Sequence, residues 1–121
     1  MLQPIENAPA GVVAFRAVGK ITAEDYETTL TPAVAAAEAH GKLRLVYELG
    51  PEFDGYSAGA ALADFRLGTS NLTNWERCAV VTDHEVIADV IRAFAILMPG
   101  EIRIFRVDQE AEALDWAAGT D

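Results

Sequence analysis

The sequence predicts an α/β fold: a single-domain mixed sheet of about five strands, built from an N-terminal antiparallel hairpin followed by parallel strands, with helices flanking it. Three observations predict it. Beyond residue 18, strand-like runs alternate strictly with helix-like periods, which calls for parallel strands joined by right-handed crossovers. Ala79-Val80-Val81 leaves no room for polar alternation, as suits an interior strand covered on both faces. The chain has 121 residues, 51% hydrophobic and 23% charged, which is one domain's worth with a globular balance.

The elements follow in order. Leu2 to Ile5 and Val12 to Val18 read as two strands, the second bounded by Gly11 and Gly19, with Asn7 to Ala10 as the turn between them. Thr22 with Asp25 three residues on is a capping-box pattern, so a helix starts near Ala23; Tyr26, Leu30, Val34 and Ala37 supply its apolar period. Pro32 interrupts that period, and the expectation is a broken or kinked helix ending near Gly41. Leu43 to Leu49 is a strand, stopped by Gly50-Pro51 before a loop to Gly55. Ser57 then caps a helix whose inner face is expected to carry Ala58, Ala61, Leu62 and Phe65, with a loop from Gly68 to Asn74. After the Ala79 strand, Asp83 is expected to cap a helix that buries Val86, Ile87, Val90, Phe94 and Leu97, leaves Glu85, Asp89, Arg92 and Ile96 outside, and stops at Pro99-Gly100. Ile102 to Phe105 form the last strand and Gln109 to Ala118 a short closing helix. The acidic residues Asp108, Glu110, Glu112, Asp115 and Asp121 suggest a solvated face there.

Four stretches spread over the chain carry a resemblance: Gly19-Lys-Ile-Thr-Ala-Glu-Asp25-Tyr26, Gly41-Lys-Leu-Arg-Leu-Val-Tyr-Glu-Leu49, Trp75-Glu-Arg-Cys-Ala-Val-Val-Thr-Asp83 and Pro99-Gly-Glu-Ile-Arg-Ile-Phe105. With them the sequence resembles the SpoIIAA-like family, which is STAS-like and related to the CRAL-TRIO lipid carriers. The resemblance implies a mixed sheet flanked by helices and no enzymatic role. It implies either carriage of a nonpolar molecule or bacterial regulatory binding of a protein. STAS regulators of the anti-sigma-antagonist kind carry a phosphorylated Asp-Ser pair at the start of the helix after the third strand. Here Tyr56 precedes Ser57 and Asp54 is displaced, so the pair is absent. Ser57 is retained as a candidate regulatory residue, although a plain helix cap accounts for it, and Glu52 and Asp54 oppose a further negative group.

Catalytic signatures are weak. Gly55-Tyr-Ser57-Ala-Gly59 matches the nucleophile-elbow string and His84 follows a strand, but seven residues separate Leu49 from Ser57, where an elbow turns directly from strand to helix. Asp64, Glu76 and Asp83 lie between Ser57 and His84 without a spacing that marks a third triad member. A serine hydrolase using Ser57 is thus the least favoured reading, and no catalytic residue is assigned. His40 at a helix end suits the dipole there, His84 reads as a neutral ring bonded to a loop, and Cys78 as an inert core thiol. Two histidines and one cysteine far apart give no metal-ligand spacing, no glycine-rich phosphate loop follows a strand, and no cofactor is expected.

A formal charge of −10 repels phosphate backbones, which disfavours nucleic acid. No apolar run reaches the ~18 residues of a membrane span. One cysteine and no cationic leader before an apolar run suggest a reducing cytoplasm, and the glycosylation triplet Asn71-Leu-Thr73 then carries no meaning. What remains is apolar surface. Phe53, Tyr56, Leu67, Leu72 and Trp75 fall in or beside loops and, with Phe94, are expected to roof a space beyond the carboxyl ends of the strands. Phe53, Tyr56, Trp75 and Phe94 are the candidate wall residues for a small nonpolar or lipid-like ligand. A regulatory protein is the alternative partner, and Ile96 with Met98 is compatible with the border of an apolar groove or a homodimer contact.

Overall fold

The computed structural model describes residues 1–70 and 73–119. In chain order the elements are β1 (Leu2–Pro4), β2 (Val13–Ala17), β3 (Gly19–Ile21), α1 (Ala23–Asp25), a π-helical turn (Tyr26–Leu30), α2 (Thr31–Glu38), β4 (Leu43–Leu49), β5 (Phe53–Tyr56), α3 (Ala58–Ser70), β6 (Trp75–Thr82), α4 (Glu85–Ala95), β7 (Glu101–Phe105), a short 3-10 turn (Val107–Gln109) and α5 (Glu110–Ala118). The main sheet has five strands in the order β1-β2-β4-β6-β7. β1 runs antiparallel to β2, and the later neighbours are parallel, so hairpin and crossovers lie where the sequence places them.

Alternation along the strands divides the core in two. Leu45 and Tyr47 face the same side as their β6 partners Cys78 and Val80, and this side is covered by α2, α3 and α4. Val46, Ala79, Val81 and Phe105 face the other, where α5 supplies Ala113, Leu114, Trp116 and Ala117. β4 and β6 therefore read as nearly continuous apolar runs because both faces are dry. The approach of β7 to β6 is close: a Cβ on Gly100 would lie 2.1 Å from the Trp75 carbonyl oxygen, so only glycine fits before the last strand.

Several sequence expectations need correction. The stretch after Gly50-Pro51 is not all loop: Phe53–Tyr56 is a strand and pairs in parallel with Gly19–Ile21, a strand not among those expected, as a separate two-stranded sheet too short to show a clear period. The helix at Pro32 is not broken. The turn before it widens, with Thr31 N–H bonding the Tyr26 carbonyl five residues back, and Pro32 sits in the first turn of α2 where its missing N–H is least costly. α3 runs on to Ser70, past Gly68, and buries Ala60 and Leu67, whereas Ala58, Ala61, Leu62 and Phe65 face outward. Asp83 does not cap α4. His84 occupies that position, and Asp83 Oδ1 instead accepts from Val107 N–H at 3.1 Å. The inner stripe of α4 is Ala88, buried, with Ile87 and Ile91 half-buried, while Val86, Val90, Phe94 and Leu97 are left exposed beside the expected Ile96. Of the acidic C-terminal face, Glu110 turns inward to Arg16, and Asp121 lies outside the described residues.

Two expectations of local chemistry hold in detail. Thr22 Oγ1 accepts from Asp25 N–H while Asp25 Oδ2 accepts from Thr22 N–H, a complete capping box. Ser57 Oγ accepts from Ala60 N–H at 3.0 Å at the start of α3.

Candidate functional site

A cavity of about 220 Å³ lies on the sheet face, between α3 and α4. Its floor is Leu45, Tyr47 and Leu49 of β4, Cys78 and Val80 of β6, and Ile102 of β7, the inward set that strand alternation selects. Its walls come from Leu30 in the π turn, from Leu67 and Phe65 on α3, and from Ile91 and Phe94 on α4. Phe65 and Phe94 meet edge to face at 6.5 Å between centroids and remain 54% and 42% exposed, so this aromatic pair stands at the opening.

The space expected beyond the strands' carboxyl ends is thus on the sheet face instead. At the carboxyl ends of β6 and β7 is a polar cleft lined by Asp83, His84, Glu85, Asp89, Arg92 and Arg106, among others. Among the expected wall residues, Tyr56, Trp75 and Phe94 border the cavity, as does Leu67. Phe53 does not: its ring packs edge-on against Tyr56 at 5.1 Å and near His84 at 6.4 Å. Leu72 and Asn71 lie outside the described residues. Met98 borders the cavity, whereas Ile96 is 85% exposed.

One end of the cavity is polar, and composition gave no sign of it. Tyr56 O–H donates to the Tyr47 oxygen at 3.0 Å, Tyr47 and Tyr26 hydroxyls are 3.2 Å apart, and Tyr26 O–H donates to Asp64 Oδ1 at 2.7 Å. The residues come from four elements, 38 positions apart at the extremes from Tyr26 to Asp64, so no local motif announces the chain. Tyr26 and Leu30, four residues apart on one face of the widened turn before Pro32, are both fully inward. Burial pushes the Tyr56 phenol up to about 12 and raises Tyr26 and Tyr47 further, so all three stay protonated. Asp64 is exposed as a residue while Oδ1 turns in to the tyrosines; burial of that side raises its carboxyl and the Tyr26 hydrogen bond opposes that rise.

Cys78 borders this cavity and is not sealed in the core as expected; burial, with the Asp64 charge, pushes its thiol up to about 12 and keeps it un-nucleophilic. Ser57 is engaged as a cap, and among the described residues no hydrogen bond joins it to His84. Among the same residues no group of three His, Cys, Asp or Glu is placed to hold a metal ion. No described helix is long and apolar enough to cross a membrane.

Comparison with known proteins places this geometry in context. A family profile described as SpoIIAA-like matches residues 12–118. The chain is 30% identical to an uncharacterised protein of the DUF3478 family with a SpoIIAA-like fold from Shewanella loihica PV-4; the match covers 97% of this chain and 90% of that one, with a TM-score of 0.74. No curated protein matches the chain.

Proposed function

Because the chain belongs to the SpoIIAA-like family, which supports a non-enzymatic regulatory module, we propose that it works as one domain binding a small nonpolar molecule between α3 and α4. The observation that carries this reading is the cavity itself, roofed by an aromatic pair left partly in water. Its volume exceeds the roughly 150 Å³ at which an apolar protein cavity takes up benzene, and falls short of the roughly 300 Å³ at which drug-sized pockets begin. The part of a guest that enters is therefore no larger than a fused ring pair or a short alkyl chain, the rest of a larger molecule staying outside at the Phe65–Phe94 opening, and a diacyl lipid fits only if α3 and α4 separate. Burying about 200 Å² of apolar guest surface yields ~5 kcal/mol. Since the freedom the guest loses on binding is subtracted from this, the affinity is weaker than the roughly 0.2 mM that the gain alone would give. A reducing cytoplasm suits the single unpaired thiol of Cys78.

A second reading, a regulatory protein as partner, draws on the outward strip of α4, where Leu97 is 72% exposed beside Val86 and Ile96. It draws less on the Pro51–Ser57 segment, because that stretch pairs with β3 and ends in an engaged cap.

Titration with the neutral dye N-phenylnaphthylamine separates the two. Gly68 borders the cavity, and a Cβ there meets nothing within 4 Å, so Gly68→Leu begins a side chain at the cavity rim where its first atom has room. The expected result is dye binding that Gly68→Leu weakens by at least about tenfold, with an unchanged circular dichroism spectrum. Leu97→Glu, on the strip but off the cavity wall, should leave binding intact. Dye binding lost in Leu97→Glu and kept in Gly68→Leu would move the site to the strip.

A further inference from the structure

Proton accounting at the polar end of the cavity specifies what a guest can offer it. Each tyrosine hydroxyl owns one proton. That of Tyr56 goes to Tyr47 and that of Tyr26 goes to Asp64, so in the contact between Tyr47 and Tyr26 the donor is Tyr47. All three protons thus point along one chain that ends on the Asp64 carboxylate, and none is left over for a guest. The other strong side-chain donors on the wall are engaged too: Trp75 Nε1–H with the Gly68 carbonyl at 3.2 Å, and the Thr69 hydroxyl with the Phe65 carbonyl at 2.8 Å. No Lys, Arg or His borders the cavity. What remains open is acceptor capacity. Among the described residues nothing donates to the Tyr56 oxygen, and Asp64 Oδ2 has no hydrogen-bond partner.

Resting on the reading of this cavity as a ligand site, we infer that its guest is a small amphiphile whose apolar body carries a hydrogen-bond donor, a hydroxyl or an amine, and that carboxylate-headed guests of the same size are rejected. A donor head satisfies Tyr56 or Asp64, which otherwise lose water without replacement when the cavity fills. A carboxylate head meets acceptors only and sits against the like charge of Asp64. The volume fixes the size of the part that enters, and the direction of the hydrogen-bond chain fixes the chemistry of its head.

The test is displacement of N-phenylnaphthylamine at pH 8 by four compounds of one length: octylamine, octanol, heptyl methyl ether and octanoate. Octylamine and octanol are expected to bind at least about tenfold more tightly than octanoate, and octanol more tightly than the ether, which has the same number of heavy atoms and no donor. Asp64→Asn should shrink the octylamine-to-octanoate ratio by about tenfold, because it removes the charge and adds a donor at the same place. If none of the four displaces dye, the cavity is no ligand site and this inference goes with it. If all four compete equally, or octanoate binds best, the cavity reading stands and the donor requirement is overturned. An octanoate penalty that Asp64→Asn leaves untouched would reflect the cost of burying any charge and would also overturn it. The wild-type series alone decides the donor requirement should the variant fail to fold.

Discussion

Among the described residues Glu48 is the buried carboxylate, and its surroundings make stability depend on pH. It lies on β4 facing α5, where Arg16 Nε donates to Glu48 Oε2 at 2.8 Å and Arg16 Nη2 donates to Glu110 Oε2 at 2.7 Å. One cation thus serves two carboxyls, and Glu48 Oε1 is buried with no hydrogen-bond partner. Burial, then the neighbouring Glu110, push Glu48 up to about 7 against the pull of Arg16, while contact with Glu48 and Arg16 holds Glu110 below its ordinary value. A raised folded-state value favours the fold while the group is protonated. The contribution of Glu48 is therefore complete below about pH 4.5 and is lost as pH rises through about 7. Glu110 acts with the opposite sign but is already ionised, folded or unfolded, across most of that window. The full shift would be worth about 3 kcal/mol, and sharing of Arg16 between two partners reduces it, so we expect a loss of about 1–3 kcal/mol from pH 5 to pH 8. Glu48→Gln keeps the shape and an acceptor for Arg16 without titrating, and should remove most of that loss in urea denaturation at the two pH values. Identical pH profiles for the two proteins would show that Glu48 is not the source.

At the scale of elements, the helix starts at Thr22 and Ser57 agree closely with the sequence, because each cap depends on residues a few positions apart, whereas Asp83 bonds Val107 from a distant segment and leaves the cap position to His84. Ser57→Ala should cost about 1 kcal/mol of stability by freeing Ala60 N–H. It should leave displacement of N-phenylnaphthylamine unchanged, since Ser57 does not border the cavity; a tenfold loss of dye affinity in this variant would show that α3 is positioned by its cap. The same locality explains which elements were legible. The Thr22 box, the Ser57 cap, and the runs Leu43–Leu49 and Trp75–Thr82 all write their state into neighbouring residues. β3 and β5 do not, since each has four residues or fewer and exists by pairing with the other across 34 positions, as Gly19 with Phe53. The helical period of α4 was legible, but its orientation was not. Its apolar arc is wider than the sheet can cover, so the wheel identifies a greasy helix without saying which residues stay outside. Three of the four candidate wall residues, Tyr56, Trp75 and Phe94, proved to border one cavity. The tyrosine chain to Asp64 was hidden because its four members lie on four elements, so no local spacing marks it.

For the whole molecule the dominant fact is a formal charge of −10 on 121 residues. Pairing compensates little of it. Arg16 bridges two carboxyls, Arg44 meets Glu76, and the Arg92–Asp89 and Arg106–Asp108 pairs are largely exposed, where each contributes a few tenths of a kcal/mol at most. The remaining carboxylates repel one another more in the compact state than in an expanded chain. A folded chain of this length has a radius of gyration of roughly 13–14 Å. At 0.01 M salt the screening length is about 30 Å and every charge feels every other, whereas at 0.15 M it is about 8 Å and repulsion is confined to neighbours. Moving between these conditions should therefore raise stability by about 1 kcal/mol and the melting temperature by about 3–6 °C, the reverse of what a fold held by surface ion pairs would show. The same field draws cationic amphiphiles towards the surface, so the preference for octylamine should weaken with salt, while the preference of octanol over heptyl methyl ether, set by local hydrogen bonding, should not. Thermal melts at the two salt concentrations, with the head-group series repeated at each, check both halves. A melting temperature that falls with salt would show that the ion pairs outweigh the net charge. An octanol preference that follows salt as octylamine does would place head-group selection in the global field and not at Tyr56 and Asp64.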